Sequence, residues 1–131
     1  MIYLDSSALV KLAIVEPETT ALSTWLGERT AEVRVSSDLA RVEVLRAVLR
    51  RQPAALPQAQ QVIARLLKLR MSRAVLSEAA ALHPAQLRSL DAIHIASALR
   101  LGARLTSMVC YDERLGEAAR TAGLAVDAPG T

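Results

Sequence analysis

Phenylalanine is missing from this 131-residue chain, and one Trp and two Tyr are its only aromatic residues. A core built from what remains is aliphatic, made of Leu, Val, Ile and Ala and packed largely through helices. With so few flat side chains, base stacking is excluded as the main way of gripping a nucleic acid. A single cysteine, Cys110, excludes an intrachain disulfide and a thiolate zinc cluster. Set in an apolar run, its thiol reads as buried and inert. No stretch approaches the roughly 18 charge-free apolar residues of a membrane span. The opening Met1 to Ser7 has neither the basic region nor the apolar span of a signal peptide, so the cytoplasm is the expected compartment. Repeats, low-complexity tracts and linkers are also lacking. Residues 1–127 are therefore expected to form one domain, with 128–131 as a flexible tail.

Lysine is scarce too. Of 16 basic residues only Lys11 and Lys68 are lysine, and the other 14 are arginine. Arginine grips phosphate with a planar fork, and together with a net charge of +3 this suits a nucleic-acid partner. At 52% apolar and 22% charged residues the composition is that of a folded globular protein. Apolar runs predict short strands at Ile2–Leu4, Val33–Val35, Leu105–Val109 and Leu124–Val126. Helical spacing predicts helices at 8–15, 18–27, 39–51, 58–69, 73–82, 88–101 and 113–122. Val42, Leu45 and Leu49 are expected on the core side of the third, and Val62, Leu66 and Leu69 on that of the fourth. Between Leu67 and Val75 there is also room for a brief hidden strand. Strands alternating with longer helices predict an α/β fold with three layers, a short parallel sheet of four to five strands flanked by helices.

Four carboxylates stand where an acid is a poor choice for packing. Asp5 follows the first strand, Asp112 follows the strand ending near Val109, and Glu43 and Asp91 interrupt apolar helical patterns. In a parallel sheet the residues beyond the carboxyl ends of the strands line one crevice, so these acids are expected on one rim. Grouped carboxylates repel each other unless a proton or a cation intervenes. Hard oxygen ligands suit Mg²⁺ or Mn²⁺, and one ion, or two about 4 Å apart, would activate water against a phosphodiester. Blander readings stand beside this one. Asp5, Asp91 and Asp112 each sit where a helix cap belongs, and Glu43 has Arg46 and Arg50 at helical spacing.

The segments Ile2-Tyr-Leu-Asp-Ser-Ser-Ala-Leu-Val-Lys-Leu12, Ser37-Asp-Leu-Ala-Arg-Val-Glu43, Leu87-Arg-Ser-Leu-Asp-Ala-Ile-His-Ile-Ala96 and Tyr111-Asp-Glu-Arg-Leu115 occur in this order. Together they resemble the PIN-domain ribonucleases, specifically the VapC-type toxins of toxin–antitoxin pairs, from the first residues to about Val126. The resemblance implies a PIN-like fold and an endoribonuclease whose Asp5, Glu43, Asp91 and Asp112 coordinate Mg²⁺ or Mn²⁺, with Ser7 as a polar support beside Asp5. It also implies inhibition by a small cognate antitoxin, and a homodimer or a dimer of toxin–antitoxin heterodimers. The chain departs from many relatives at Cys110, where they carry Thr or Ser, a stronger donor two residues before the last acid.

Lys11, Arg88 and His94 complete the candidates. The two cations lie within reach of phosphate at the acidic rim, or snorkel along apolar surface. His94, three residues beyond Asp91, reads first as a hydrogen-bonded structural histidine and second as a substrate contact. Leu9, Leu12, Leu22 and Trp25 are expected to line an apolar groove for the antitoxin. Two other functions compete with hydrolysis of RNA. One is a non-catalytic RNA-binding or regulatory domain stabilised by metal. The other is an aspartyl phosphotransfer domain, which Ser7 argues against because it stands where the second acid of the common Asp-x-Asp pattern belongs.

Overall fold

A computed structural model describes all 131 residues. Five parallel strands, β1 Ile2–Leu4, β2 Arg34–Ser37, β3 Leu67–Leu69, β4 Ser107–Val109 and β5 Val126–Asp127, form one sheet in the order β3-β2-β1-β4-β5. Seven helices cover it: α1 Ser6–Ala13, α2 Thr19–Gly27, α3 Ala40–Arg51, α4 Leu56–Ala64, α5 Arg73–Ala80, α6 Ser89–Leu99 and α7 Glu113–Thr121. No helix is long and apolar enough to cross a membrane.

β1 lies at the centre because all three of its side chains are fully buried, as a strand covered on both faces requires. Alternation along the strand then divides the core. Ile2 and Leu4 pack with Leu9, Leu22, Val44 and Ile63 on one face, while Tyr3 packs with Ile95, Met108 and Leu115 on the other. The strand order reverses between β1 and β4, whose pairing runs from Ile2 opposite Ser107 to Leu4 opposite Val109. That reversal opens a crevice at the carboxyl ends of these two strands, directly before Asp5 and Asp112.

Several expectations are corrected. On α3 the core side is Ala40, Val44 and Val48, whereas Val42 is 62% and Leu49 45% exposed. α4 stops at Ala64, and Leu67–Leu69 forms the strand β3 beside β2 instead of continuing the helix. α1 starts two residues early because Asp5 Oδ1 accepts from the Ala8 N–H and caps it at Ser6. Ser36 and Ser37 extend β2 beyond the predicted Val35, and Ser36 Oγ donates to the Leu4 carbonyl. Leu9 and Leu22 are fully buried and line no groove, and Trp25 is stacked by the Arg29 guanidinium at 3.9 Å. Gly123, in the left-handed region at φ +95°, follows the C-cap of α7 and ends the helix.

Candidate metal centre

Each acid reaches the rim for a local reason. Asp5 leaves β1 and caps α1, and Asp112 leaves the β4 loop and caps α7, accepting from the Leu115 N–H at 3.0 Å. The capping readings of these two residues therefore hold, and each cap engages only Oδ1. Glu43 lies in the first turn of α3 and pairs with neither Arg46 nor Arg50. Its Oε1 accepts from Ser6 Oγ at 2.6 Å and meets His94 Nε2 at 2.6 Å. Asp91 lies in the first turn of α6 but does not cap it; Arg88 holds the cap position.

His94 joins the group from below. It is 1% exposed, and its Nδ1 sits 2.7 Å from the Tyr3 hydroxyl while Nε2 faces Glu43. The imidazole is thus tied into the packing, which matches its reading as a structural residue. Ser7 Oγ donates to Asp5 Oδ1 at 2.6 Å and accepts from the Tyr111 N–H at 3.0 Å. This hydroxyl links the Asp5 corner to the residue before Asp112. Cys110, the departure noted above, turns its thiol to the Asp112 carbonyl at 3.3 Å. Burial first, and the Asp5 charge second, push the thiol pKa far up, so it stays protonated.

The electrostatics divide the acids. Burial raises the Asp5 pKa, against the lowering effects of Ser7, the Ala8 N–H, His94 and Cys110. Burial also acts to raise Glu43, but hydrogen bonds from His94 and Ser6 and the nearby imidazole prevail and hold it below the usual range. Asp91 is raised by burial and then by Asp112, with Glu43 adding to the repulsion and His94 and Arg88 opposing it. Its ionised form is held by no protein hydrogen bond. The four acids therefore feel one another or share His94, although no three His, Cys, Asp or Glu side chains yet converge closely enough to hold an ion. The donor set itself fits Mg²⁺ or Mn²⁺, being hard oxygen throughout. Asp5, Glu43 and Asp112 each anchor a single oxygen on protein donors, which leaves the other for a ligand.

The basic candidates differ in availability. Lys11 is 8% exposed, bound to Glu18 at 2.8 Å and near Glu16 at 3.7 Å, with its ammonium 4.6 Å from the centre of the Tyr111 ring. Arg88 is exposed beside Asp91. A cleft of about 320 Å³ runs from Ser6, Ser7 and Glu43 to Lys11, Glu16 and Arg51. A larger cavity of about 730 Å³ lies between α5 and α6, lined by Leu76, Leu82, Leu87 and Ile93, and has no carboxylate in its wall. Ser6 and Tyr3 are functional neighbours that sequence reasoning missed. Only the position of Ser6 between Asp5 and Ser7 hinted at the first, and Tyr3 read simply as a core strand residue.

Residues 2–121 match the family model described as PIN domain. The chain is 51% identical over 128 residues to "Ribonuclease VapC46" of Mycobacterium tuberculosis, covering 98% of this chain and 97% of that protein. It is 48% identical over 132 residues to "Ribonuclease VapC35" of the same organism, covering 99% and 98%. With "Ribonuclease VapC47", also from Mycobacterium tuberculosis, it shares 44% over 133 residues, again 99% and 98% of the two chains.

Proposed function

Because this chain belongs to the PIN-domain family, and within it to the VapC ribonucleases, we propose that it is a divalent-metal-dependent endoribonuclease, the toxin of a type II toxin–antitoxin pair. It cuts RNA phosphodiester bonds at the rim formed by Asp5, Glu43, Asp91 and Asp112. The observation that carries this reading is the grouping of acids at helix starts on one rim, with Asp91 among them raised by burial first and by Asp112 second and given no hydrogen-bond donor. His94 and Arg88 offset only part of this, so a cation at the rim would relieve what remains.

Asp5, Glu43, Asp91 and Asp112 would hold Mg²⁺ or Mn²⁺, as one ion or two. When bound, the metal lowers the cost of water attack on phosphorus and neutralises charge on the phosphate oxygens. The chain's own residues prepare the site. Ser7 and the Ala8 N–H fix Asp5, while Ser6 and His94 fix Glu43 and keep it ionised. Arg88, exposed at the start of α6 beside Asp91, would contact substrate phosphate. Lys11 acts as support, because its ammonium is already committed to Glu18 and Tyr111. The protein works in the cytoplasm as a homodimer, restrained by a small cognate antitoxin.

The test is purified, antitoxin-free protein incubated with total RNA and Mn²⁺, with new ends mapped by sequencing. Cleavage is expected, and both chelator and Asp91→Asn abolish it. RNA binding with no turnover under any metal would replace this reading with a non-catalytic, metal-stabilised RNA-binding domain.

A further inference from the structure

Tyr111 makes more connections than a residue flanking the site needs. Its N–H donates to Ser7 Oγ, which in turn holds Asp5 Oδ1, and Asp112 follows it in the chain. One side of its ring carries the Lys11 ammonium, which Glu18 holds in place. Its hydroxyl donates to the Pro129 carbonyl at 2.8 Å, so the last residues of the chain are anchored to it.

Those last residues are built to stay there. Gly130 has φ +91°, and a Cβ on it would lie 2.9 Å from the Ala21 Cβ and 3.4 Å from Glu18. Only glycine fits so close to the start of α2 in that backbone conformation. The Thr131 N–H and hydroxyl both return to the Ala128 carbonyl, closing a tight turn, and Ala128 and Thr131 wall a cavity of about 470 Å³ with Tyr111 and Asp112. Residues 128–131 thus form a strap from β5 to α2 that passes over Tyr111. The Tyr111 ring is fixed at its hydroxyl by the strap and at its face by Lys11, and its backbone carries two corners of the acidic rim.

We propose that Tyr111 and the strap at residues 128–131 are positioning elements for the acidic rim, fixing the Asp5 and Asp112 corners relative to each other. This rests on the reading of the rim as a metal-dependent nuclease site. The coupling runs through particular bonds, so loss of the strap loosens one amide and one metal site before it loosens the fold.

The test compares Gly130→Ala, which unseats the strap sterically, with Tyr111→Phe, which keeps the ring against Lys11 and deletes its bond to Pro129. The double variant is included, all in the full-length chain. Amide exchange of Tyr111 in metal-free protein is expected to rise about tenfold in each single variant and no further in the double, while amides of β1 and α6 stay protected. Calorimetric titration with Mn²⁺ should show weaker binding by a similar factor. RNA cleavage should lose kcat while KM stays within about twofold. Unchanged Tyr111 exchange, additive effects in the double variant, or a uniform rise in exchange across the domain would each overturn the proposal. Faster Tyr111 exchange with wild-type Mn²⁺ affinity would overturn it as well. Wild-type protein that binds Mn²⁺ in a strap-dependent way yet never cuts RNA would sink the nuclease reading and leave the positioning role intact.

Discussion

Asp91 carries an electrostatic penalty that its neighbours do not remove, and the sign of that penalty can be measured. Burial and Asp112 raise its pKa above the ordinary 3.8. A raised carboxylate binds its proton more tightly in the folded than in the unfolded chain. It therefore costs nothing below 3.8 and erodes stability as pH rises through the folded value. Asp91→Asn removes that charge, so in metal-free buffer at neutral pH the variant should melt higher than wild type. Its cleavage of RNA should meanwhile fall by more than the roughly 10–100-fold that changes outside a metal's own ligands produce. A variant that melts lower and still cuts would contradict both halves of the argument. His94 makes the opposite case, since it satisfies its neighbours. His94→Ala takes from the buried Tyr3 hydroxyl its partner at 2.7 Å, leaving the Ser36 and Ser97 hydroxyls beside it, and removes one of two side-chain donors to Glu43. Each lost partner costs about 1–3 kcal/mol, so denaturant unfolding should show a loss of several kcal/mol with an unchanged m-value.

α3 shows how an element's pattern can be right and its orientation wrong. Val42, Leu45 and Leu49 repeat at helical spacing as well as Ala40, Val44 and Val48 do, and nothing within the helix says which set meets the sheet. The choice is made by Leu9 and Ile63 on α1 and α4, which share a core cluster with Val44 and Val48. Val44→Ala should therefore cost about 2 kcal/mol, from buried methyl groups lost and a cavity left behind. Val42→Ala should stay within about 0.5 kcal/mol; a thermal melt of the two side by side checks the assignment. β3 falls in the span from Leu67 to Val75 where the sequence leaves room for a brief strand, and it could not be placed more closely for a related reason. Leu66 and Leu69 extend the spacing of Val62, and only pairing with β2 shows that the chain has become extended. The acids were legible because each breaks an apolar pattern locally. The bonds that hold Glu43 were not, because Ser6 and His94 lie 37 and 51 residues away along the chain. Nor was the anchoring of residues 128–131, which depends on the Tyr111 hydroxyl and on a close approach to Ala21.

The whole molecule combines an acidic crevice at the strand-order reversal with a surface rich in arginine, and the two ask for opposite partners. The crevice asks for a cation. An ion that binds only the folded chain stabilises it by mass action, about 2.7 kcal/mol at a concentration 100 times its dissociation constant. The melting temperature should thus climb with Mn²⁺ or Mg²⁺ and stay flat in Asp5→Asn, where a ligand charge and its hold on the rim are both reduced. The arginine surface asks for phosphate. RNA held there releases counterions, so its affinity should fall with a log–log slope of about −0.7 for each phosphate neutralised on a single strand. The two effects are separable, because added K⁺ competes for phosphate but is a poor substitute for a divalent ion among four carboxylates. In a titration of Asp91→Asn, chosen because it is expected to bind RNA without cutting it, Arg88→Ala should reduce the magnitude of that slope by about 0.7. It should leave the metal-dependent rise in the melting temperature of an otherwise wild-type chain unchanged. Loss of the thermal shift on removing Arg88 would instead make this side chain part of the metal site, and the division between cation crevice and phosphate surface would fail.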